Sequence, residues 1–299
     1  MPDSPPFLLG LPGNAAAAAR LAELVGAPLA QASVRRFPDG ESYVRLETDV
    51  RGRDVILVCT LDRPDDKLVP LLLAAAAARD NGARRVGLVA PYLAYMRQDK
   101  CFHPGETVSA RHFAGWISAA FDWLVTVDPH LHRIAALSEV YRIPDRVVHA
   151  ADSIATWLRG RAEPTVLIGP DEESAQWVAD VAQRAGRPFV VLDKTRRGDR
   201  DVSVSVPEVG RWADHVPVLV DDIISTARTM IETVRHVRAA GLRAPWCIGV
   251  HAVFAQDAYT DLQAAGAGLV LTCDTIAHPS NAISVLPDLA VAVRELLAG

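Results

Sequence analysis

Short apolar runs alternate with segments of helical periodicity along the chain. The runs are almost entirely apolar and cover residues 55–59, 86–90, 123–127 and 216–220. After the last run, Met230, Val234 and Val237 recur at helical spacing, and Gly241 ends the predicted helix. Strands that are buried on both faces and joined by helices form parallel sheets. The pattern therefore predicts an α/β fold built on doubly wound, mostly parallel sheets.

Three segments of the first half recur in the same order in the second half. They are 22–41 with 182–201, 54–60 with 215–226, and 79–93 with 238–254. Corresponding residues lie about 160 positions apart, as Gly26 and Gly186 do. One such match could arise by chance, but three at one spacing indicate a duplication. We therefore predict two tandem domains, 1–145 and 146–299, related by internal duplication, each with its own parallel sheet.

Two aspartates, Asp221 and Asp222, directly follow the run 216–220. Ligands of open parallel sheets bind where strands end and helices begin. The carboxylates can accept hydrogen bonds from vicinal sugar hydroxyls or help to hold Mg²⁺. The residues after them can bind a phosphate through free helix N–H groups and hydroxyls: Ser225, Thr226, Ala227, Arg228 and Thr229. The stretch predicts a sugar-phosphate site, and the alternative is an aspartate cap beside a solvated turn.

Two further polar clusters lie in the first half. A Pro/Gly turn carries an aromatic ring and two acids: Phe37, Asp39 and Glu41. The second cluster follows the run 86–90: Arg97, Gln98 and Asp99. Arginine can bind polyphosphate, an aromatic ring can stack on a base, and carboxylates can accept from its exocyclic amine. Charged residues at strand ends are commonly just solvated, so each cluster alone is weak evidence for a nucleotide site.

The remaining charged positions follow other apolar runs. His130 lies just beyond 123–127, and Asp171 ends the first apolar run of the second half. Mg²⁺ prefers oxygen ligands, so a structural or phosphate-binding role for His130 remains an alternative to metal binding. Lys194 and Arg196 lie in the most charged segment, 192–206. That segment predicts an exposed hairpin or, as a functional interpretation, a cationic lid over a polyphosphate.

Composition argues against several classes of protein. No apolar run reaches membrane-spanning length, and residues 1–14 lack the basic start of a signal peptide. The four cysteines are scattered, which argues against disulfides or a zinc site and favours a reducing cytoplasm. The net charge of −5 argues against a general nucleic-acid surface. Because the chain has no GxxxxGK[ST] loop, other loops would have to bind phosphates.

Six motifs occur in an order that resembles the ribose-phosphate diphosphokinase (phosphoribosyl-pyrophosphate synthetase) family: FPDGE, RQDK, VDPH, GPD, KTR and VDDIIST. The resemblance implies two domains of the phosphoribosyltransferase type. It also implies an enzyme of nucleotide biosynthesis that transfers the diphosphoryl group of Mg-ATP to the C1 hydroxyl of ribose 5-phosphate and releases AMP. The partners implied are therefore ATP, ribose 5-phosphate and Mg²⁺, with neither nucleic acid nor membrane.

The same resemblance implies roles for individual residues. In a homo-oligomer, one subunit would approach the adenine of ATP bound by a neighbour through Phe37, Asp39 and Glu41. The nucleotide would be contacted by Arg97, Gln98 and Asp99. Mg²⁺ would be held by His130 and Asp171, and the catalytic cations would be Lys194 and Arg196. Ribose 5-phosphate would be held by Asp221, Asp222 and residues 225–229. The chain departs from the usual loop, which has an aspartate and two glycines, at Ser225, Ala227 and Arg228.

Two other functions share part of this pattern. A phosphoribosyltransferase would share VDDIIST, but it would not need the duplicated half or two nucleotide clusters. A catalytically silent, synthetase-associated regulatory protein would share the whole architecture. It would be expected to lose the lid cations or the metal ligands, and Lys194, Arg196, His130 and Asp171 are all present.

Overall fold

The computed structural model describes residues 4–131, 133–169, 172–197, 201–205 and 209–298. Within these residues the chain forms two parallel sheets, two antiparallel hairpins and eight α-helices. It divides into two compact units, and each unit contains one sheet and one hairpin. No helix in this part of the chain has the length and apolarity needed to cross a lipid bilayer.

The first unit is built on a five-stranded parallel sheet in the order β1-β4-β5-β6-β7. Its strands are β1 (Phe7–Gly10), β4 (Asp54–Val58), β5 (Arg85–Ala90), β6 (Trp123–Val127) and β7 (Asp145–Val148). A hairpin of β2 (Ala32–Arg36) and β3 (Ser42–Leu46) stands apart from the sheet. All residues of β4 and β6 are buried, as continuous apolar runs require of strands covered on both faces.

The second unit has a six-stranded parallel sheet in the order β15-β14-β13-β12-β8-β9. Its strands are β8 (Thr165–Gly169), β9 (Phe189–Val191), β12 (Val216–Ile223), β13 (Trp246–His251), β14 (Leu269–Cys273) and β15 (Asn281–Ile283). The segment 192–206 supplies a hairpin of β10 (Asp193–Arg197) and β11 (Asp201–Ser205). The predicted antiparallel hairpin is therefore present in the backbone.

The two sheets have equivalent strand orders, which confirms the predicted duplication. In the first unit β4 lies between β1 and β5, and in the second β12 lies between β8 and β13. Even the extra edge strand β9 has a counterpart, because Leu29 forms an isolated parallel bridge with Leu8 of β1. Each copy also carries its own hairpin. The strands 55–59 and 216–220 thus occupy the corresponding positions that the sequence predicts.

Helices cover both faces of each sheet, as a doubly wound fold requires. In the first unit they are α1 (Ala15–Val25), α2 (Asp65–Asp80), α3 (Ser109–Ala120) and α8 (Leu286–Ala298). In the second unit they are α4 (Ala151–Arg159), α5 (Glu172–Ala185), α6 (Arg228–Ala239) and α7 (Ala258–Ala264). The helices pack in pairs: α1 with α8 and α2 with α3 in the first unit, α4 with α5 and α6 with α7 in the second.

The C-terminal helix α8 belongs to the first unit, whereas the sequence predicts a boundary at 145/146 with all later residues in the second domain. The first unit comprises Met1–Val148, Thr275–Ala277 and Val285–Gly299, and the second His149–Asp274 and His278–Ser284. Helix α8 packs on α1, β6 and β7. The Arg85 guanidinium donates to the carbonyl oxygens of Leu296 and Leu297, and the Arg294 guanidinium donates to that of Leu24. An apolar helical pattern does not specify which of two similar sheets the helix will cover.

Candidate active site

The two aspartates of the second unit lie within strand β12, not in a turn after it. Asp221 pairs with Gly249 of β13, and Ile223 pairs with His251, so the parallel ladder continues beyond the buried run. The Asp221 Oδ1 atom accepts a hydrogen bond from the Asp222 backbone N–H at 2.9 Å. Both aspartates are half-buried. The ladder therefore fixes the backbone that carries two adjacent carboxylates at the carboxyl edge of the sheet.

The loop 225–229 connects this strand end to helix α6. Ser225 is half-buried, Ala227 is buried, and the other loop side chains are exposed: Thr226, Arg228 and Thr229. Ala227 caps α6 with φ +55°, in the left-handed region, and no side chain caps the helix there. For a residue with a Cβ that conformation costs about 1–2 kcal/mol, which explains why glycine is usual in such loops. The loop has a left-handed residue at this position although glycine is absent. The first N–H groups of α6 have no acceptor within the helix, as at any helix N-terminus.

The start of this loop is supported by the segment that follows β13. The backbone N–H of Phe254 donates to the Ile224 carbonyl at 2.8 Å, and that of Ala255 donates to the Ser225 carbonyl at 3.0 Å. The Ile224 N–H in turn donates to the His251 carbonyl at 3.1 Å. No sequence pattern indicates this support, because it depends on residues about thirty positions downstream that contact the loop only in the fold.

In the first unit, the β2–β3 turn brings together the three residues proposed to reach a nucleotide base. The turn is closed by the Phe37 N–H, which donates to the Glu41 carbonyl at 2.8 Å. Asp39 Oδ1 accepts from the Glu41 N–H at 3.2 Å, so Asp39 shapes the turn. The Phe37 ring is 38% exposed and packs edge-on against Tyr43 at 5.9 Å, with Arg35 over both rings. An exposed, fixed aromatic ring is suited to stacking.

The residues 97–99 are adjacent in the chain but have different environments. Arg97 is exposed, whereas the Gln98 amide donates to Glu106 at 3.3 Å. The Asp99 side chain is only 3% exposed and accepts from the Arg133 backbone N–H at 3.2 Å and from its guanidinium at 3.1 Å. Burial raises the pKa of Asp99, but the hydrogen bonds and charge of Arg133 outweigh it and hold that pKa below its usual range. Asp99 therefore holds Arg133 and is largely covered from ligands.

Arg133 is a further cation of this region that the sequence motifs do not include. Its guanidinium is half exposed and lies 5.5 Å from the centre of the Phe102 ring, which Lys100 approaches from 5.0 Å. Glu106 organises the same loop, because its carboxylate accepts from the N–H groups of Phe102 and His103. The signal that could have identified Arg133 is its position three residues after His130. The sequence could not show that a buried aspartate on another loop orients it.

The proposed metal pair, His130 and Asp171, and the proposed catalytic pair, Lys194 and Arg196, are described only in part. His130 is half-buried and lies two residues after Asp128, whose φ of +29° marks a strained backbone at the end of β6. Asp171 lies outside the described residues, so the proposed metal pair stays a prediction. Lys194 and Arg196 lie in β10, opposite Val204 and Val202 of the hairpin. The backbone placement of both cations is thus known.

The first unit has a different arrangement at the place that corresponds to the Asp221–Asp222 strand end. The Lys67 ammonium donates to the Thr60 carbonyl at 2.9 Å and pairs with Asp62. The Thr60 N–H donates to Asn14 Oδ1 at 2.8 Å. Burial raises the pKa of the Cys59 thiol to about 12, so this thiol stays protonated. The polar groups at this strand end are thus bound by neighbouring side chains of the first unit.

Comparison with known proteins identifies the family. Residues 7–120 match the N-terminal domain of ribose phosphate pyrophosphokinase, and residues 136–286 match the phosphoribosyl transferase domain. A ribose-phosphate pyrophosphokinase of Methanopyrus kandleri is 37% identical over 279 residues, 93% of this chain and 94% of the relative. The chain belongs to the ribose-phosphate pyrophosphokinase family. A second member, from Methanothermobacter thermautotrophicus, is 31% identical over 97% of this chain and 100% of its own.

The fold of this pyrophosphokinase family member also agrees with a solved structure. The phosphoribosylpyrophosphate synthetase of Mycobacterium smegmatis superposes with a TM-score of 0.85 over 99% of both chains, at 24% identity. The match confirms the predicted fold of two phosphoribosyltransferase-type domains. A plain phosphoribosyltransferase would not account for the N-terminal family domain over residues 7–120.

Proposed function

We propose that this protein transfers the diphosphoryl group of ATP to the C1 hydroxyl of ribose 5-phosphate, giving 5-phosphoribosyl 1-diphosphate and AMP. The observation that carries the proposal is the carboxyl end of β12, where two carboxylates lead through 225–229 into the N-terminus of α6. It occurs in a chain that matches both domains of the family. Sugar hydroxyls suit the carboxylates, and a phosphate suits the helix N-terminus.

In this proposal the second unit binds ribose 5-phosphate. Asp221 and Asp222 accept hydrogen bonds from the ribose hydroxyls. The left-handed Ala227 followed by helix α6 directs successive N–H groups at the phosphate, and Ser225, Thr226 and Thr229 add hydroxyl donors. Arg228, where glycine is usual, adds a cation at the first position of the helix. These groups hold the sugar in a fixed orientation for reaction at its C1 hydroxyl.

The first unit binds ATP in this proposal. Arg97, Gln98 and Asp99 lie on the loop after β5, and Asp99 acts through the guanidinium of Arg133. The β2–β3 turn supplies the Phe37 ring, with Asp39 and Glu41, to the adenine bound by a neighbouring subunit of a homo-oligomer. The exposed ring and its rigid turn support that assignment. We place the enzyme in the cytoplasm because its scattered cysteines favour a reducing compartment.

The family uses ATP together with Mg²⁺. Within the described residues no three His, Cys, Asp or Glu side chains are grouped so that they could hold a metal ion. Mg²⁺ keeps several waters and binds through one or two carboxylates plus substrate phosphates. His130 and Asp171, with the Asp221–Asp222 pair, are the residues that would hold it. When bound, Mg²⁺ supplies positive charge to the phosphate oxygens.

Catalysis of this transfer rests on positioning and charge, since little covalent chemistry falls to the protein. Lys194 and Arg196, on the β10–β11 hairpin, are the proposed catalytic cations. They would meet the charge that develops on the migrating diphosphoryl group, where cationic groups in other phosphoryl transfers contribute about 10³–10⁵ in rate. The hairpin would also exclude water from the transferring group.

The test of the proposed function is the identity of the nucleotide product. The protein is incubated with ribose 5-phosphate, Mg²⁺ and ATP, and the products are separated by chromatography. AMP formed in equal amount to the phosphoribosyl product is the expected result. ADP would show an ordinary kinase instead. The absence of any product that depends on ribose 5-phosphate would show a silent regulatory protein.

Two variants give the test its controls. Lys194→Ala should lower kcat by about 10³ or more while the affinity for ribose 5-phosphate, measured by calorimetry, stays unchanged. Asp222→Asn should instead weaken ribose 5-phosphate binding, because the sugar hydroxyls lose an ionised acceptor. If Lys194→Ala keeps a normal kcat, or loses sugar binding, its catalytic role is refuted.

A further inference from the structure

His278 lies outside every residue assigned above, on the loop between β14 and β15. Its backbone N–H donates to Asn281 Oδ1 at 2.9 Å. Its Nδ1 atom accepts from the Ser280 N–H at 3.2 Å and lies 2.7 Å from the Ser280 hydroxyl. Ser280 is buried and hydrogen-bonds to the buried Thr272 hydroxyl of β14 at 2.8 Å. The imidazole is therefore anchored to the sheet through its ring nitrogen, in one orientation.

The anchored imidazole is one of three rings in contact. It lies 4.7 Å from the Phe254 ring at 35° and 4.9 Å from the Tyr259 ring at 78°. Phe254 and Tyr259 themselves pack edge-on at 5.2 Å. Aromatic pairs at these distances and angles have favourable geometry. Phe254 is thus held from two sides, by α7 through Tyr259 and by the β14–β15 loop through His278.

Phe254 connects this cluster to the ribose 5-phosphate loop. Its backbone N–H binds the Ile224 carbonyl, and the next N–H, of Ala255, binds the Ser225 carbonyl. Ser225 is the first residue of the proposed phosphate-binding loop. A shift of Phe254 would therefore shift the residues from which the loop starts. Displacements of about 1 Å in a positioning element are enough to weaken a site strongly.

We propose that His278 is a positioning residue for ribose 5-phosphate: it holds Phe254, whose segment fixes the start of the loop 225–229. The inference rests on the proposed function of that loop. The role is in ground-state binding of the sugar phosphate, because the contacts of His278 with Phe254 lead to the loop of the second unit. Nucleotide affinity should not depend on it. Burial lowers the pKa of His278, in keeping with a neutral ring whose Nδ1 atom accepts hydrogen bonds.

The test compares ring removal at two histidines of the second unit. His278→Ala removes the contact with Phe254. The matched control is His215→Ala, which also removes an imidazole in contact with an aromatic ring, that of Trp212 at 5.3 Å, but at the amino end of β12. His278→Ala should raise the dissociation constant of ribose 5-phosphate about tenfold, equivalent to about 1.4 kcal/mol, and leave the KM for ATP within about twofold. His215→Ala should leave both constants unchanged.

Two further variants separate positioning from a general loss of stability. His278→Phe keeps a ring against Phe254 and should recover most of the affinity, even if its melting temperature stays low. The double variant His278→Ala/Phe254→Ala should bind ribose 5-phosphate no worse than Phe254→Ala alone. Both changes disrupt the same series of contacts, which runs from His278 through Phe254 to the loop. Equal effects of His278→Ala and His215→Ala, or equal losses for ATP and sugar, would overturn the inference.

The same titrations distinguish this inference from the proposed function. If the wild-type protein binds no ribose 5-phosphate, or Asp222→Asn binds it as well as wild type does, the assignment of the loop itself is wrong and both ideas are overturned. If wild type and Asp222→Asn behave as expected and only His278→Ala is indistinguishable from wild type, the inference about His278 alone is overturned.

Discussion

At the scale of single residues, the pair of Asp99 and Arg133 changes the interpretation of the RQDK motif. The Asp99 carboxylate is almost fully covered, and its hydrogen bonds go to Arg133. A covered carboxylate cannot contact a nucleotide directly, whereas the half-exposed guanidinium beside it can bind phosphate. In the proposed nucleotide site, Asp99 would therefore act by fixing the guanidinium of Arg133.

This pair can be tested by a double-mutant cycle. Asp99→Asn should raise the KM for ATP about tenfold, since weakening a charge-assisted hydrogen bond costs about 1.5–3 kcal/mol. Arg133→Gln should raise it by at least as much. The double variant Asp99→Asn/Arg133→Gln should match Arg133→Gln alone in steady-state kinetics, because Asp99 has no function without its partner. Additive effects would mean that Asp99 contacts the nucleotide itself.

Residue types and spacing predict several residues of the candidate site, but not the residues that contact and support them. Asp221, Asp222 and the 225–229 loop could be identified because two adjacent carboxylates directly after a buried apolar run are costly and need a reason. Arg133, Phe254 and His278 could not, since each acts through contacts between segments that are distant in sequence. Ala227 shows a different limit: an alanine gives no sign that its backbone is left-handed.

At the scale of elements, close strand packing depends on particular glycines. Gly249 of β13 lies opposite Asp221, and a Cβ built there would come within 2.6 Å of two atoms of the buried Ile224 side chain. Ile224 is the residue directly before the 225–229 loop. The absence of a side chain at Gly249 therefore permits the backbone course from β12 into the loop.

Gly249→Ala should accordingly impair the loop as well as stability. We expect a loss of about 1–3 kcal/mol in the free energy of unfolding, as overpacking typically causes, with a higher dissociation constant for ribose 5-phosphate. The control is Gly268→Ala, whose Cβ would meet the Ala244 carbonyl oxygen at 2.9 Å, just before β14. It should cost stability without changing sugar affinity by calorimetry. Equal effects on affinity would refute the local explanation.

The strands could be predicted well because continuous burial leaves a simple signal. The runs 55–59, 86–90, 123–127 and 216–220 all correspond to parallel strands. The end of β12 was predicted less well, since its ladder with β13 carries the strand through two charged residues to Ile223. Backbone pairing can extend beyond an apolar run when the neighbouring strand is long enough. A hydrophobic pattern therefore does not show at which residue the strand ends.

At the scale of the whole molecule, helix α8 ties the end of the described chain to the first unit. Leu289, Val293 and Leu296 are buried, while Val291 on the same helix is 47% exposed. Leu289→Ala should cost about 2–5 kcal/mol in the first unit, because it removes a fully buried side chain. Val291→Ala, the control, should cost little. Hydrogen exchange should quicken in α1 peptides and not in α4 peptides; the reverse pattern would refute this assignment.

The place of α8 also sets an order of events during synthesis. A nascent chain that has reached residue 284 already contains all of the second unit, yet the first unit still lacks the helix that packs on α1, β6 and β7. The usual expectation that domains mature from the N-terminus onwards is thereby reversed. Until residues 285–298 are synthesised, the first unit exposes the apolar surface that α8 covers in the folded protein. The first unit is therefore the one that would need a chaperone during synthesis.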